Sequence, residues 1–311
     1  CGAIQGFAEN ANLPVGCALR RHDLSDNNHS NYAGDVGIGI NPKLAQRIKE
    51  SDVVIVVGCR LDEMTTSGYT LFDVPRPKQK IVHVHPSADE LGKIYQADLF
   101  INSSMLPFAG IMRAMPKIDS TRWNAWTKSA HEDYLANTIP GPCPGAVDMG
   151  QIMLWLKEKL PASAILTNGA GNFAQCLHRF YPLRQPRTQL APNNGAMGYG
   201  VPAGIAAKLV SPHKTVVTFS GDGDFLMTGQ ELATAMQYNA AVIFIVVNNS
   251  MYGTIRMHQE RDYPARVHGT ALQNPDFAAL ARAYGAHGET VETTDQFASA
   301  FERSQAANRP A

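Results

Sequence analysis

The sequence predicts an α/β fold with two doubly wound, parallel-sheet domains. Short runs of β-branched and aromatic residues, which are typical of buried strands, alternate with segments that carry helix-capping residues. This alternation favours parallel strands joined by helical crossovers. Residues 138–145 contain three prolines and two glycines, a composition typical of a stiff linker between two such series. A chain of 311 residues is also long enough for two domains of ordinary size.

Residues 1–116 form the first predicted domain. Its two clearest strands are the apolar runs at 53–57 and 80–85. Asn41 followed by Pro42 predicts the start of a helix, because proline fits the first helical position. Ser87 with Glu90 three residues later predicts a second helix start through a capping box.

Residues 117–146 are predicted to connect the domains, and residues 147–311 to form the second domain. Its predicted strands are 164–167, 215–219 and 242–247. Between the last two, Thr228 and Glu231 form a capping box, which predicts a helix running to about Asn239. A strand–helix–strand crossover of this kind brings the ends of both strands to the same edge of a parallel sheet.

The sequence begins with Cys1 rather than Met and stops after a predicted helix, where a further strand would be expected. We therefore expect it to be a piece of a longer protein. The first domain would be incomplete at its N-terminus and the second at its C-terminus.

Composition limits the possible partners. Lys+Arg and Asp+Glu both number 27, so no excess charge favours nucleic acid or a membrane surface as a partner. No apolar run approaches the roughly 18 residues of a membrane span.

The five cysteines are widely spread and contain no Cys-x-x-Cys pair, which indicates neither a zinc site nor a disulfide framework. This favours a reducing compartment, and we expect the protein to be cytoplasmic.

One stretch carries most of the functional signal. Gly221-Asp222-Gly223 follows one predicted strand and Asn248-Asn249 follows the next, with 24 positions, 224–247, between them. Carboxylate, amide and carbonyl oxygens are hard ligands that suit Mg²⁺ or Ca²⁺, and Mg²⁺ keeps positions open for phosphate oxygens. Glycine N–H groups can approach the same oxygens. The stretch predicts a site for a metal-bound diphosphate; the alternative is a loop with Asp and Asn serving turn chemistry.

A second glycine-rich turn follows the strand at 164–167. Residues 169–174 read GAGNFA, which matches the dinucleotide pattern G-x-G-x-x-A. That pattern requires an acidic residue about 20 positions later, and 186–196 contains none. A glycine-rich turn before a helix binds any diphosphate for the same electrostatic reason, and we prefer this reading. A dinucleotide-binding oxidoreductase stays open as an alternative.

The GDG motif, the gap and the NN motif resemble the cofactor signature of thiamine-diphosphate enzymes. The neighbouring segments 193–207, 221–239 and 248–253 resemble acetolactate synthase large subunits and related 2-oxo-acid decarboxylases and carboligases. The resemblance implies a Rossmann-like middle domain and a thiamine-diphosphate-binding domain. It further implies thiamine diphosphate and Mg²⁺ as cofactors, and decarboxylation of a 2-oxo acid with carboligation. A simple decarboxylase or another carboligase of the same family is the alternative.

The resemblance also implies roles for single residues. Met197 would lie under the cofactor and hold its two rings in a folded shape, although its chemistry alone favours core packing. The carbonyl of Gly195 would accept a hydrogen bond from the 4′-amino group. Asp222, the Asn249 side chain and the Met251 carbonyl would bind Mg²⁺. The other implied cofactor contacts are Asn172, Phe173, Gly221, Gly223, Asp224, Tyr252 and Gly253.

Two further expectations follow from the resemblance. In the family, a glutamate on a separate N-terminal domain contacts the aminopyrimidine, and this sequence contains no such domain. The family's active sites form between subunits, so a homodimer or homotetramer with the site at the interface is implied. We expect residues 1–311 alone to provide the diphosphate half-site without turnover. A non-catalytic nucleotide-binding module remains an alternative.

FAD is a further cofactor to consider in the first domain. In acetolactate synthases the corresponding domain holds FAD near a Gly-x-Arg that follows one strand and an acidic residue that follows the next. Gly58-Cys59-Arg60 matches the first position, but His85-Pro86 stands where the acid is expected. FAD, another nucleotide and a domain without a ligand therefore all stay open.

Overall fold

The computed structural model describes residues 2–311 and divides into two compact units. The first unit ends at Ile139, and the second runs from Pro140 to Ala311. Every strand pair in the three sheets is parallel, which confirms the α/β prediction. The domain limits 1–116, 117–146 and 147–311 stay a prediction.

The first unit contains a two-stranded sheet, β1-β2, and a three-stranded sheet, β3-β4-β5. The strands are β1 (Val15–Cys17), β2 (Tyr32–Asp35), β3 (Val53–Val57), β4 (Lys80–His85) and β5 (Leu99–Asn102). The helices are α1 (Gly2–Ala11), α2 (Pro42–Glu50), α3 (Met105–Ala114) and α4 (Asn124–Asn137).

The two predicted helix starts in this unit have different outcomes. Asn41 caps α2 as predicted, because its side chain accepts from the Lys43 N–H at 3.0 Å. The capping box at Ser87 is wrong, since only one 3-10 turn follows and the Ser87 side chain makes no cap. The Glu90 carboxylate instead lies 3.6 Å from the Arg60 guanidinium, so an ion pair replaces the local bond.

Helix α4 falls within the predicted connection but packs into the first unit. Asp133 on α4 accepts from Lys43 Nζ at 2.6 Å and from Arg47 Nε at 3.1 Å. The Lys43 hydrogen bond, supported by Arg47, lowers the pKa of Asp133. The Arg47 guanidinium also lies over the Trp126 ring, 5.3 Å from its centroid. The helical part of the predicted connection is therefore held by α2.

The second unit is built on one four-stranded sheet in the order β7-β6-β8-β9. The strands are β6 (Ile165–Asn168), β7 (Gln189–Leu190), β8 (Val216–Gly221) and β9 (Ile243–Val247). The helices are α5 (Met149–Lys159), α6 (Phe173–Phe180), α7 (Gly200–Val210), α8 (Asp222–Phe225), α9 (Leu232–Gln237), α10 (Gly253–Asp262), α11 (Phe277–Ala283) and α12 (Thr294–Ala306). The chain moves from β6 outward to β7 and then returns to β8 on the other side of β6. The topological switch point therefore lies between β6 and β8, where open α/β sheets bind ligands.

Close packing of α7 fixes this end of the sheet. A Cβ atom on Gly204 of α7 would lie 2.1 Å from Thr218 Oγ1 on β8, so only glycine allows this approach. On the sheet, Val217 and Phe219 are buried in one cluster with Leu166 and Leu156. Fully burying a side chain of this size stabilises the fold by about 1.5 to 3 kcal/mol. Core packing therefore fixes the positions of β6 and β8, which end at the switch point.

The helix predicted from Thr228 to about Asn239 is interrupted, and its predicted capping box is wrong. The chain forms α8, a 3-10 turn at Gly229–Glu231 and then α9. The Thr228 hydroxyl does not cap a helix but donates to the Gly198 carbonyl at 2.8 Å. A tertiary hydrogen bond has replaced the local one that the sequence pattern indicates.

Within residues 2–311, no helix combines the length and the apolar character needed to cross a membrane. Cys17, Cys59, Cys143 and Cys176 are free thiols, and Cys1 lies outside the described residues.

The Glu289→Gln variant tests an ion-pair network at the C-terminal helix. Arg303 of α12 donates to Glu289 through Nε at 2.9 Å and Nη2 at 2.6 Å, and this lowers the Glu289 pKa to about 2. Because the folded pKa lies below the ordinary 4.5, the stabilisation is present above pH 4.5 and is lost as the pH falls towards 2. We expect the variant to lose about 1 kcal/mol near neutral pH, since solvent screens the exposed Arg303. Denaturant unfolding measures this loss of unfolding free energy, which must become smaller in acid.

The control is Glu302→Gln, which removes a single hydrogen bond to Lys159. A loss in Glu289→Gln that does not depend on pH would contradict this account.

Candidate functional site

Three loops meet at the edge of the sheet where β6, β8 and β9 end. The register pairs Asn168 with Phe219 and Gly221 with Val247, so the three strands finish at nearly the same level. Parallel strands place all their carboxyl ends on one side, which makes this edge the natural ligand site. The loops that follow the strands are residues 169–172, 222–225 and 248–252, and the second of them consists of the single helical turn α8.

The Asp224 carboxylate connects the loop after β6 to the segment before α7. Its Oδ1 accepts from the Gly198 N–H at 2.7 Å and from the Ala170 N–H at 3.2 Å. Burial raises the pKa of Asp224, and these two hydrogen bonds oppose the shift. A Cβ atom on Gly169 would lie 2.0 Å from both carboxylate oxygens, so the glycine makes room for them. The structure therefore gives Asp224 a bracing role, and its contact with a cofactor stays a prediction.

Asp222, the first residue of the loop that follows β8, is only 3% exposed. Its Oδ1 accepts from the Gly223 N–H at 2.9 Å, and its Oδ2 accepts from Asn274 Nδ2 at 2.7 Å. A Cβ atom on Gly223 would lie 2.4 Å from the Tyr252 ring, so glycine is needed for that ring to pack here. Two hydrogen bonds therefore fix the orientation of the Asp222 carboxylate at the switch point.

The loop after β9 is a tight turn with strained backbone. Asn248 Oδ1 accepts from the Ser250 N–H at 3.0 Å, and Asn249 Oδ1 accepts from the Met251 N–H at 3.3 Å. Ser250 has a φ of +55°, in the left-handed region that non-glycine residues rarely adopt. Such strain persists where surrounding contacts hold it, and an antiparallel bridge from Met251 to Ala271 supplies one of them.

A hydroxyl joins the loop after β6 to the start of α10. Thr254 Oγ1 accepts from the Asn172 N–H at 3.0 Å and donates to Asn172 Oδ1 at the same distance. The Phe173 ring packs against Gly221, where a Cβ atom would lie 3.1 Å from the ring. The glycine-rich turn is thus fixed to both of the other loops.

The segment before α7 leaves open space beside the site. Gly195 and Gly198 have φ values of +72° and +82°, which glycine adopts at little cost. Apart from Gly195 and its two chain neighbours, no described residue has an atom within 4 Å of the position that a Cβ on Gly195 would take. Met197, between these glycines, is half-buried. The segment therefore has an open glycine backbone at Gly195 and the Met197 side chain next to the site. Hydrogen bonds of Gly198 to Asp224 and Thr228 fix its end.

Two models of known protein families match the sequence of this chain. The model for the C-terminal thiamine pyrophosphate binding domain of thiamine pyrophosphate enzymes matches residues 169–311. The model for the central domain of these enzymes matches residues 1–109. The chain belongs to the thiamine pyrophosphate enzymes.

Relatives of this thiamine pyrophosphate enzyme carry one recurrent name. The chain is 30% identical to the acetolactate synthase large subunit of Parasynechococcus marenigrum, and the alignment covers 94% of this chain and 48% of the relative. It is 27% identical to the probable acetolactate synthase large subunit of Methanocaldococcus jannaschii, over 98% and 53%. The chain is 25% identical to the acetolactate synthase isozyme 2 large subunit of Escherichia coli, over 96% of this chain and 54% of the relative. The chain spans about half the length of these curated relatives.

The residues present fit a diphosphate held through a hard cation. Asp222 and the Asn248-Asn249 turn follow paired strands, so a buried carboxylate comes from the first and the amide and carbonyl oxygens of Asn249 and Met251 come from the second. This donor set suits Mg²⁺. Within the described part of the chain, no group of three or more His, Cys, Asp or Glu side chains could hold a metal ion. The binding roles of the predicted residues remain predictions, but the structure brings their loops to one edge.

The first unit of this thiamine pyrophosphate enzyme has a separate cavity of about 150 Å³, lined in part by Arg60, His83 and Glu90. His83 Nε2 lies 2.9 Å from the Cys59 carbonyl oxygen, and burial lowers the pKa of His83. His85 Nδ1 accepts from a backbone N–H at 3.1 Å. Both histidines therefore make ordinary hydrogen bonds to the backbone.

Asn274 is the site residue that sequence reasoning missed. Its Nδ2 donates to Asp222 Oδ2 at 2.7 Å and to Asn248 Oδ1 at 2.8 Å, joining the loops after β8 and β9. In the sequence it stands in Asn-Pro-Asp before α11 and is typical of a turn that precedes a helix. No local signal distinguishes it from such a turn.

Gly169→Ala tests the close approach of Asp224. The added Cβ would overlap a carboxylate that is fixed by two backbone donors, so the loop or Asp224 must move. We expect a loss of about 2 to 3 kcal/mol in unfolding free energy, typical of overpacking. Denaturant unfolding measures it. Gly110→Ala in α3, where nothing lies within 4 Å of the new Cβ, is the control and should not destabilise. Equal stability of Gly169→Ala and wild type would contradict the packing described.

Proposed function

We infer that the complete protein uses thiamine diphosphate and Mg²⁺ to decarboxylate a 2-oxo acid and join the product to a second carbonyl compound, as an acetolactate synthase does. One observation carries this inference: Asp222 and the Asn248-Asn249 turn follow two hydrogen-bonded parallel strands beside the switch point. The match of residues 169–311 to the thiamine pyrophosphate binding domain supports it. The names of the relatives favour acetolactate synthesis over simple decarboxylation.

The proposed metal ligands are the Asp222 carboxylate, the Asn249 amide oxygen and the Met251 carbonyl. Hydrogen bonds within the loops already orient the first two groups. The diphosphate would contact Gly221 and Gly223, because glycine has no side chain and lets the backbone approach a ligand closely. These residues bind and orient the cofactor, and the protein's remaining task is to control the environment of the reacting carbon.

When bound, thiamine diphosphate supplies an electron sink for the loss of CO₂ from a 2-oxo acid. The chain supports that chemistry through two groups in the segment before α7. The Gly195 carbonyl would accept a hydrogen bond from the cofactor's amino group, and the Met197 side chain would support the folded shape of the bound cofactor. The open space beside Gly195 is consistent with this assignment.

We place the complete active site between two subunits of a homodimer or homotetramer. Leu226 and Met227, directly after α8, and Ile255 on α10 are 44%, 48% and 49% exposed. These apolar side chains are close in sequence to Asp224 and Gly253 and are available for contact with a second subunit. We therefore expect residues 1–311 expressed alone to bind the diphosphate weakly and to show no turnover.

FAD binding by the first unit is a separate question from the proposed reaction. Gly58 has the φ of +67° that a tight turn requires, and Arg60 lines the cavity nearby. His85-Pro86 replaces the expected acid. A flavin absorbance spectrum from the purified complete protein would support FAD, and a spectrum without flavin after reconstitution would exclude it.

The Asp222→Ala variant tests the reaction and the metal site together. The complete protein is supplied with thiamine diphosphate, Mg²⁺ and pyruvate, and both CO₂ and the organic product are measured. We expect wild type to form acetolactate and Asp222→Ala to lose more than about 100-fold in rate, since even indirect supports of a metal ligand are worth about 10- to 100-fold. The control is Asp295→Ala, which removes an exposed carboxylate on α12.

Other products would redirect the assignment. Acetaldehyde with CO₂ would identify a decarboxylase, and cofactor binding without reaction on pyruvate would call for other 2-oxo acids. Binding of NAD without any dependence on Mg²⁺ would favour an oxidoreductase at residues 169–174. Failure of wild type to bind thiamine diphosphate would overturn the proposal.

Met197→Ala tests the proposed support of the cofactor's folded shape. Removing the side chain should lower kcat by about 10- to 100-fold, because small misplacement of reacting groups costs this much. The affinity for Mg²⁺ should change little, since Met197 is not a proposed ligand. Steady-state kinetics and calorimetry measure the two effects. The control, Met115→Ala, changes an exposed methionine in the first unit; unchanged kcat in Met197→Ala would assign Met197 to packing alone.

A further inference from the structure

The segment that carries Asn274 is bound to the turn after β9. The Tyr252 N–H donates to the Thr270 carbonyl at 2.8 Å, and the Leu272 N–H donates to the Ser250 carbonyl at 2.9 Å. These bonds flank the antiparallel bridge between Met251 and Ala271. Residues 270–272 therefore run beside the turn, and Asn274 follows two residues later.

The chemistry of its partners fixes the orientation of the Asn274 amide. The Asp222 carboxylate can only accept hydrogen bonds when ionised. Asn248 Oδ1 already accepts from the Ser250 N–H at 3.0 Å and so faces Asn274 as an acceptor. The Asn274 group that touches both oxygens must be the NH₂, because a carbonyl there would oppose two acceptors. Its two hydrogens are thus used on two different strand-end loops.

This orientation leaves the amide oxygen of Asn274 without a partner. Asn274 Oδ1 is buried and accepts no hydrogen bond from the described residues. A buried polar atom in that state is costly, and it commonly indicates a ligand, an ion or a water at the site. Mg²⁺ in proteins usually keeps several bound waters, which are hydrogen-bond donors.

We propose that Asn274 is a positioning residue of the cation site. By bonding to Asp222 and Asn248 at once, it sets the separation between the loops that carry Asp222 and Asn249. Its Oδ1 is placed to accept from a water on the cation. The inference rests on the proposed function, because it assumes that Asp222 and Asn249 are metal ligands.

If Asn274 positions the metal ligands, its loss should change the relative affinities for Mg²⁺ and Ca²⁺. If its hydrogen bonds only stabilise the loop, these relative affinities should not change. Mg²⁺ demands near-ideal octahedral geometry, whereas Ca²⁺ tolerates flexible arrangements. Loosening the spacing between Asp222 and Asn249 should therefore weaken Mg²⁺ more than Ca²⁺. A tie that only stabilises the loop would lower the unfolding temperature of the metal-free protein and weaken both cations equally.

Asn274→Ala in the complete protein tests the proposal. Calorimetric titration with Mg²⁺ and with Ca²⁺, at saturating thiamine diphosphate, measures the two dissociation constants. We expect the Mg²⁺ constant to rise by about 10- to 100-fold, the usual effect of removing a support of a metal ligand, and the Ca²⁺ constant to rise clearly less. The matched control is Gln273→Ala, which changes the exposed neighbour on the same segment.

A second variant covers the case in which Asn274→Ala does not fold. Asn274→Ser keeps a donor but is too short to bond to both oxygens, and it should shift the Mg²⁺ constant in the same direction. The effects of Asn274→Ala and Asn248→Ala should also be non-additive, since both break one bridge.

The outcomes separate this inference from the proposed function. If wild type binds neither cation with thiamine diphosphate, the proposed function fails. If wild type binds both and either Asn274 variant changes the Mg²⁺ constant by less than about threefold, the positioning role alone is overturned. Equal weakening of Mg²⁺ and Ca²⁺ would also overturn it and leave Asn274 as a structural tie.

Discussion

The hydrogen-bonded pairing of β8 with strands on both of its sides is the constraint on which the candidate site depends. Asn168 at the end of β6 pairs with Phe219, and Gly221 at the end of β8 pairs with Val247. A slip of one residue would turn every side chain of β8 to the opposite face and move Asp222 along the edge. The buried side chains of β8 resist such a slip, so core packing and the position of the site are set by the same contacts.

At this edge, hydrogen bonds connect the loops after β6, β8 and β9 to one another and to the segments next to them. Asp224 bonds to two loops, Asn274 bonds to two, and Thr254 joins the glycine-rich turn to α10. The glycines at 169 and 223 leave room for a carboxylate and an aromatic ring that approach closely. The polar groups are therefore oriented before any ligand arrives, which is the condition for precise cofactor binding.

The sequence predicts much of this arrangement, and its failures have a common cause. Contiguous apolar runs define β8 and β9, so their ends, and hence Asp222 and Asn249, could be located by pattern alone. The capping boxes at Ser87 and Thr228 failed because an ion pair of Glu90 and a hydroxyl bond to Gly198 replaced the local bonds. Asn274 could not be found, since its partners are distant in sequence and nothing nearby indicates them. Local patterns thus predict elements, whereas contacts between loops require the fold.

The most direct test of the central claim is a crystal structure of the complete protein with thiamine diphosphate and Mn²⁺, in which anomalous scattering locates the metal. The account predicts one Mn²⁺ at the switch point, bound by the Asp222 carboxylate, the Asn249 amide oxygen, the Met251 carbonyl and oxygens of the diphosphate. A metal bound elsewhere, or a diphosphate at this edge without contact to Asp222 and Asn249, would contradict it.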